Sequence, residues 1–281
     1  MRDDFAVFIL SHKRPENVIT YSTLKRQGYT GKIYIVIDNE DITQDKYTEV
    51  FGDNVIVFDK QKMIPKTDTY DLSGNNQAVV FARNVCFEIA EKLGLRYFLQ
   101  LDDDYKRFVF RYEEDNKLKT QDIKNLDLLF TYMIEFLNDT DALTVALSQS
   151  GDFIGGLHSD NWRKRIRRKA MNTFFCDVKK PFVFSGRMNE DVNMYVTYGN
   201  KGKLILTVAD ATIKQRDTQK AKGGMTDIYM QHGTYLKSFY SVICSPQCVK
   251  VADMNTNNRR IHHRINWNNC TPMILNARCK K

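Results

Sequence analysis

The stretch YFLQLDDDYKRF, residues 97–108, decides how the rest of the chain is read. A near-continuous apolar run, Tyr97 to Leu101, ends in three adjacent aspartates, Asp102, Asp103 and Asp104. An apolar run of that length is the pattern of a buried strand. Side chains alternate faces along an extended chain, so Asp102 and Asp104 are expected to point one way and Asp103 the other. Acids at a strand end are ordinarily solvated in a loop. Two carboxylates on one face are also half of a site for a hard divalent cation. Mg²⁺ takes one or two carboxylates and fills its shell with water and substrate phosphates. This stretch alone leaves both readings open.

Working outward, short β-branched and aromatic runs recur at 5–10, 32–38 and 54–59, each bounded by polar or Gly signals. Residues 75–94 read as a helix, with Val79, Ala82, Cys86, Ile89, Ala90 and Leu93 on one stripe and Gly94 as its stop. Residues 120–139 read as a second helix opened by a Thr120 cap. Further strands are expected at 142–148, 181–186 and 203–210. Strands alternating with helices predict an α/β fold with a layered, mostly parallel sheet. The chain of 281 residues shows no repeat or linker, so one domain with a less regular C-terminal region is expected.

The hydrophobic share of 42% is ordinary for a globular protein, and no run approaches the roughly 20 apolar residues of a membrane helix. Acids near the N-terminus argue against a signal peptide, and a cytoplasmic location is expected. The six cysteines are scattered without a CxxC pair and read as free thiols, with a zinc site from Cys244, Cys248 and late histidines as the alternative. Lys and Arg number 42 against 34 acids, a net charge of +8 that suits an anionic partner. The excess is local. WRKRIRRKA (162–170) holds six cations and no acid, and RRIHHR (259–264) holds three arginines and two histidines.

In open α/β sheets ligands bind beyond the carboxyl ends of the strands. Those positions here hold Ser11, His12 and Arg14 after the first strand, Asp38 after the second, and the aspartates after the fourth. Ser11, His12 and Arg14 suit phosphate and base contacts, with Pro15 stiffening the turn. Asp38 suits a uracil N–H or a ribose hydroxyl, and each of these sites also has an ordinary turn or cap reading. Arg83 sits at the edge of its helix stripe, where a partly buried guanidinium needs an anion.

FILSHKRPENV, IVIDNED, FARN, LQLDDDY and MNEDVNMY (188–195), in that order over residues 5–195, resemble the GT-A class of glycosyltransferases. Within it the chain looks most like the TET/JBP-associated glycosyltransferases, which include phage members and the enzymes that make base J. The resemblance implies a GT-A-like fold, with residues 1–120 as the nucleotide-sugar half and 121–281 as the acceptor half. It implies transfer of a sugar from a nucleotide sugar, such as UDP-glucose, to hydroxymethylated pyrimidines in DNA. It also implies Mn²⁺ or Mg²⁺ held by Asp102 and Asp104, with His232 or a late histidine (His262 or His263) completing the shell. Asp102 and Arg83 then belong to the nucleotide-sugar site, and Asp191 is the base, with Glu190 as its partner. Acids at a helix start are also ordinary companions of the helix dipole.

Trp162, Arg163, Lys164, Arg165, Arg167 and Arg168 are expected to contact DNA, where phosphates satisfy the cations and Trp162 supplies a stacking or wedge surface. Without such a partner the tract is a solvated basic face. Three other classes compete: a glycosyltransferase with a saccharide or protein acceptor, a two-metal nuclease, and a DNA-binding protein without activity. The nuclease needs more clustered acids than the sequence shows. A plain DNA binder leaves the strand-end acids unexplained, since they repel phosphate. The segment 223–235 matches no general feature of the class.

Overall fold

Strict alternation in the first strand divides the interior in two. A computed structural model describes residues 1–71, 74–216, 236–254 and 260–272. In β1 (Phe5–Leu10), Ala6, Phe8 and Leu10 enter one core cluster while Phe5, Val7 and Ile9 enter the other, across the sheet. Both faces are therefore covered, as a buried parallel sheet requires.

The remaining strands are β2 (Lys32–Asp38), β3 (Val55–Phe58), β4 (Tyr97–Asp102), β5 (Tyr105–Glu114), β6 (Lys117–Asp122), β7 (Ala142–Gln149), β8 (Ile166–Arg167), β9 (Phe174–Asp177) and β10 (Leu204–Gln215), followed by the separate hairpin β11 (Val249–Met254) and β12 (Arg260–Ile265). The helices are α1 (Ile19–Arg26), α2 (Gln44–Phe51), α3 (Lys60–Met63), α4 (Val80–Lys92), α5 (Leu126–Asp139), α6 (Asp160–Lys164), α7 (Glu190–Asn200) and α8 (Leu236–Cys244).

The sheet order is β3-β2-β1-β4-β9-β7-β10-β5-β6, with β8 on β10. The first four strands are mutually parallel. Strand β9 is antiparallel to both β4 and β7, so β7 rejoins the common direction, and β10 follows it in parallel. Only β5, β8 and β9 run against the rest, and the expected mostly parallel α/β layering is the one observed. Helices α4 and α7 cover one face, and α1, α2 and α5 cover the other.

Three elements differ from the sequence reading. Thr120 lies inside β6, and α5 starts at Leu126 under Asn125, whose side chain accepts from the Leu128 amide at 3.0 Å. The reason is a two-residue turn, Asp115-Asn116, with φ of +53° and +55°, which folds β6 back on β5. Residues 181–186 are not a strand. Their backbone is held by side chains instead, Asn84 Oδ1 accepting from the Phe184 amide and the Tyr198 hydroxyl from the Val183 amide. Helix α4 begins at Val80, later than periodicity suggested, and buries a wider face that includes Phe81, Arg83 and Phe87.

Among the described residues, no helix is long and apolar enough to cross a membrane. The five described cysteines are free, and among the described residues no group of three or more His, Cys, Asp or Glu converges as a metal-type cluster.

Candidate active site

Parallel register brings the strand ends to one level. Leu10 pairs with Asp102 across β1 and β4, and Leu10 with Val36 across β1 and β2. The residues that leave these strands therefore share one crevice at their carboxyl ends, where a ligand is expected.

The first corner lies after β1 and β2. The Ser11 hydroxyl donates to Asp103 Oδ2 at 2.6 Å and lies 2.7 Å from the Tyr47 hydroxyl. Arg14 Nε lies 2.9 Å from the same Asp103 oxygen. His12 Nδ1 lies 3.1 Å from Asp38 and 3.6 Å from Asp41. The buried Lys60 ammonium sits 3.9 Å from Asp38 and 3.1 Å from Glu40. Burial alone would raise the Asp38 pKa, but His12 and Lys60 outweigh it and hold the carboxyl below its usual range. Lys13 adopts φ of +56°, fixed by its amide donating to Asp41 at 2.6 Å. A non-glycine residue held in that region marks an over-determined loop.

The second corner is the aspartate turn. Thr20 on α1, fully buried, brackets it with its hydroxyl, which donates to the Asp102 carbonyl at 2.6 Å and accepts from the Tyr105 amide at 2.9 Å. The Thr20 amide donates to the Asp103 carbonyl at 3.1 Å. Asp103 turns toward Ser11 and Arg14, while Asp102 faces Arg83. Burial, reinforced by Asp102 and Asp103, pushes the Asp104 carboxyl up to about 7, and no ion pair relieves it among the described residues.

The third corner is the start of α7. Arg83 is 2% exposed and spans two acids, donating through Nη2 to Asp102 and through Nε to Glu190, each at 2.9 Å. Its guanidinium lies 5.0 Å from the Phe174 ring centre and 5.8 Å from that of Phe184. The remaining nitrogen, Nη1, is buried and has no hydrogen-bond partner. Burial disfavours the charge, but Asp102 and Glu190 outweigh that and keep Arg83 protonated. Asp191 is 7% exposed and accepts from the Val192 amide at 2.7 Å. Burial and then the Glu190 charge push it well above the usual carboxylate range.

The turn before α7 is rigid. Asn189 takes φ of +53°, and its amide donates to the Lys237 carbonyl at 2.9 Å and to Ser241. Gly186 has φ of +88°, and a Cβ there would lie 2.2 Å from Asn193, so no other residue fits. Arg187 reaches back to Asp71 at 2.9 Å, and the Tyr240 hydroxyl donates to the same carboxylate at 2.8 Å.

Ser11, His12, Arg14, Asp38, Asp102 and Asp104 thus lie at the strand ends, joined by Arg83 from α4 and by Glu190 and Asp191 from the start of α7. His232 lies outside the described residues. His263 stands on β12, its Nδ1 3.3 Å from the Asn189 amide nitrogen, and burial pushes its pKa down to about 3. Thr20, Tyr47, Asp41 and Lys60 were missed as site residues, and Asp103, expected to face away from Asp102 and Asp104, meets Ser11 and Arg14. Asp41 had a sequence signal, since Asp-x-Thr closes a side-chain turn through Thr43 at 2.6 Å. Lys60 had none.

The basic tract differs from expectation in two ways. Among the described residues five of its six cations have partners and Arg163 has no ion pair; the acids come from Asp160, just before the tract, and from Asp152 and Asp210. Lys164 pairs with Asp160 at 3.2 Å, Arg165 with Asp210 at 2.6 Å, and Lys169 with Asp152. Arg167 lies 3.9 Å from Asp160, and Arg168 donates to the Trp267 carbonyl at 2.9 Å. Trp162 is 4% exposed and packs with Phe153 and Ala209, so its ring is no open stacking platform.

An α/β sheet with a carboxylate-rich crevice at its strand ends, one buried arginine linking two acids, and an acidic helix start form one candidate active site. The chain belongs to the TET-associated glycosyltransferase family, whose model matches residues 5–224, and it is a glycosyltransferase. No curated protein sequence is similar to it. Among solved structures it is similar to glucosyl-3-phosphoglycerate synthase from Mycobacterium tuberculosis with Mg²⁺ and UDP, at 9% identity and a TM-score of 0.47, covering 93% of this chain and 87% of that one. It is also similar to the mannosyltransferase PcManGT from Pyrobaculum calidifontis with GDP-Man and Mn²⁺, at 10% identity and a TM-score of 0.48, covering 86% and 64%. A third is S. aureus TarS 1-349 with UDP-GlcNAc, at 12% identity and a TM-score of 0.43, covering 85% and 66%.

Proposed function

We propose that this glycosyltransferase moves a sugar from a nucleoside diphosphate sugar, with UDP-glucose the first candidate, to the hydroxymethyl group of a modified pyrimidine in DNA. The observation that carries this reading is the Asp102–Arg83–Glu190 bridge, which joins the turn suited to a donor diphosphate to the helix start suited to an acceptor hydroxyl. DNA as acceptor is supported by the family, and by a net charge of +8 concentrated in two tracts.

Asp102 and Asp104 fit a divalent cation. Their donors are hard carboxylate oxygens, which suit Mg²⁺ or Mn²⁺. Burial and the neighbouring Asp102 and Asp103 charges push the Asp104 carboxyl up to about 7, a crowding of acids that a cation would relieve. Two protein ligands without a third are the usual share where water and substrate phosphates complete the shell. A bound ion would offset the charge that develops on the departing diphosphate.

Arg14 and Ser11 fix Asp103 and so the turn that presents Asp102 and Asp104. Asp38, ionised beside His12 and Lys60, accepts from a nucleobase N–H or a ribose hydroxyl. Glu190 is committed to Arg83, so the proton falls to Asp191, whose raised pKa suits a base working near neutral pH. Asp191 takes the hydroxymethyl proton as that oxygen bonds to the anomeric carbon, and the carbon–oxygen bond to the diphosphate breaks.

The test is incubation of hydroxymethylpyrimidine DNA with a panel of nucleotide sugars and Mn²⁺ or Mg²⁺, read by nucleoside mass spectrometry. A hexose-shifted nucleoside is expected with one donor. Donor hydrolysis or transfer to a saccharide or protein, with DNA unmodified, would replace the acceptor assignment.

A further inference from the structure

The basic tract lies far from the carboxylates. Strand β5 leaves the aspartate turn at Tyr105 and reaches Glu113 eight residues later, which at ~3.3 Å per residue is about 26 Å. At Glu113 a cleft of about 800 Å³ opens, lined by Glu113, Asn116, His158, Trp162, Arg163 and Arg165.

Three features suit this cleft to a polyanion. Three acids, Asp152, Asp160 and Asp210, answer six cations, so the tract keeps a positive excess. Arg163 is exposed and has no ion pair among the described residues. Arg165 is pre-set, its guanidinium 3.5 Å from the Trp162 ring centre and held by Asp210. A fixed, stacked guanidinium loses little freedom on meeting a phosphate. A single small anion would need one such group. Two arginines side by side in one cleft, on a tract with a positive excess, match a repeating one.

We propose that the cleft is a backbone anchor for duplex nucleic acid, placed about eight base pairs from the reacting base, at ~3.4 Å per pair. The proposal rests on the DNA-acceptor reading and deepens it, because it makes acceptor length a determinant of binding. A duplex that ends within a few pairs of the modified base reaches the carboxylates alone. One that extends ten pairs or more on the anchored side reaches both.

The test pairs two measurements. Transfer is followed on duplexes carrying one hydroxymethylpyrimidine flanked by 4 or 14 pairs on each side. At low salt, where a phosphate contact contributes most, the short duplex is expected to show a KM about tenfold higher. In Arg163→Glu that KM ratio collapses toward one, and Arg163→Lys restores it. Separately, fluorescence anisotropy of an unmodified 30-pair duplex is titrated against salt, where Arg163→Glu lowers the slope by about one. Equal KM for both lengths, or an unchanged slope in Arg163→Glu, overturns the anchor. Arg163-dependent duplex binding without any transfer keeps the anchor and overturns the acceptor reading.

Discussion

The two ends of the crevice treat charge in opposite ways. Beside β1 and β2, every acid has a cation or donor: Asp38 has His12 and Lys60, Asp41 has the Lys13 amide, and Asp103 has Arg14 and Ser11. Across the crevice, the buried Asp191 and the half-buried Asp104 sit among other acids, and Arg83, the cation between them, is committed to Asp102 and Glu190. A fully paired corner is already organised and changes little when a ligand arrives. An under-neutralised corner holds acids that a substrate, a metal or a proton must satisfy. The first suits recognition and the second suits chemistry.

The largest break in that contrast is expected from Asp191→Asn. Turnover should fall about 10³-fold, within the range of a lost general base, with donor affinity retained. Steady-state rates and calorimetry with the nucleoside diphosphate separate the two; loss of donor affinity with preserved turnover would move the base elsewhere, to Glu190 first.

Arg83→Met comes next. It leaves Glu190 buried and Asp102 partly exposed without their cation, and about 3 kcal/mol of folding stability should go. Denaturant titration reads this directly, and a loss under 1 kcal/mol would mean that neither acid needs the arginine.

Asp104→Asn should weaken metal-dependent donor binding by about 100-fold, since even indirect partners of metal ligands commonly cost 10- to 100-fold. The fold should survive, because Asp104 makes no structural ion pair. Unchanged donor and Mn²⁺ affinity by calorimetry would remove Asp104 from the metal site.

The smallest effect sharpens the contrast by pH. The folded pKa of Asp191 lies above its unfolded value, so its burial favours folding at acid pH, and that contribution disappears as pH rises through the folded pKa. Asp191→Asn should therefore match wild type near pH 4 and become progressively more stable than it as pH rises to 8. Turnover of the wild type should rise with pH over the same interval. A constant stability difference across that range would show Asp191 ionised normally.

What the sequence disclosed followed from how local each cause was. Strands β1, β2 and β4 have the bounds read from their apolar runs, because burial on both faces leaves a continuous signal. The same logic failed at 181–186, where Phe182 and Phe184 are buried and Val183 is exposed, yet the backbone meets side chains and no strand. Alternation reports burial, and pairing has to be found elsewhere. The start of α5 was misplaced because the Asp-Asn turn signal in EEDNKL went unread. In the site, the strand-end residues were legible because topology alone puts them together. Thr20 and Lys60 were not, since a threonine in a helix and a lysine after a short strand look ordinary until the fold brings them to Asp102 and Asp38. The tract at 162–170 misled in one respect: its missing acids lie up to 45 residues away in sequence.

The Thr20 hydroxyl has a further use. One oxygen joins α1 to the aspartate turn, and its acceptor bond is to the Tyr105 amide, a fully buried position. That proton is a native label for the turn. In nitrogen-15 spectra its exchange with solvent should be slow while the bracket holds and should quicken in Thr20→Val, which keeps the shape and removes the oxygen. Donor and metal titrations could then be followed as a resonance shift at Tyr105, giving occupancy of the crevice without any turnover.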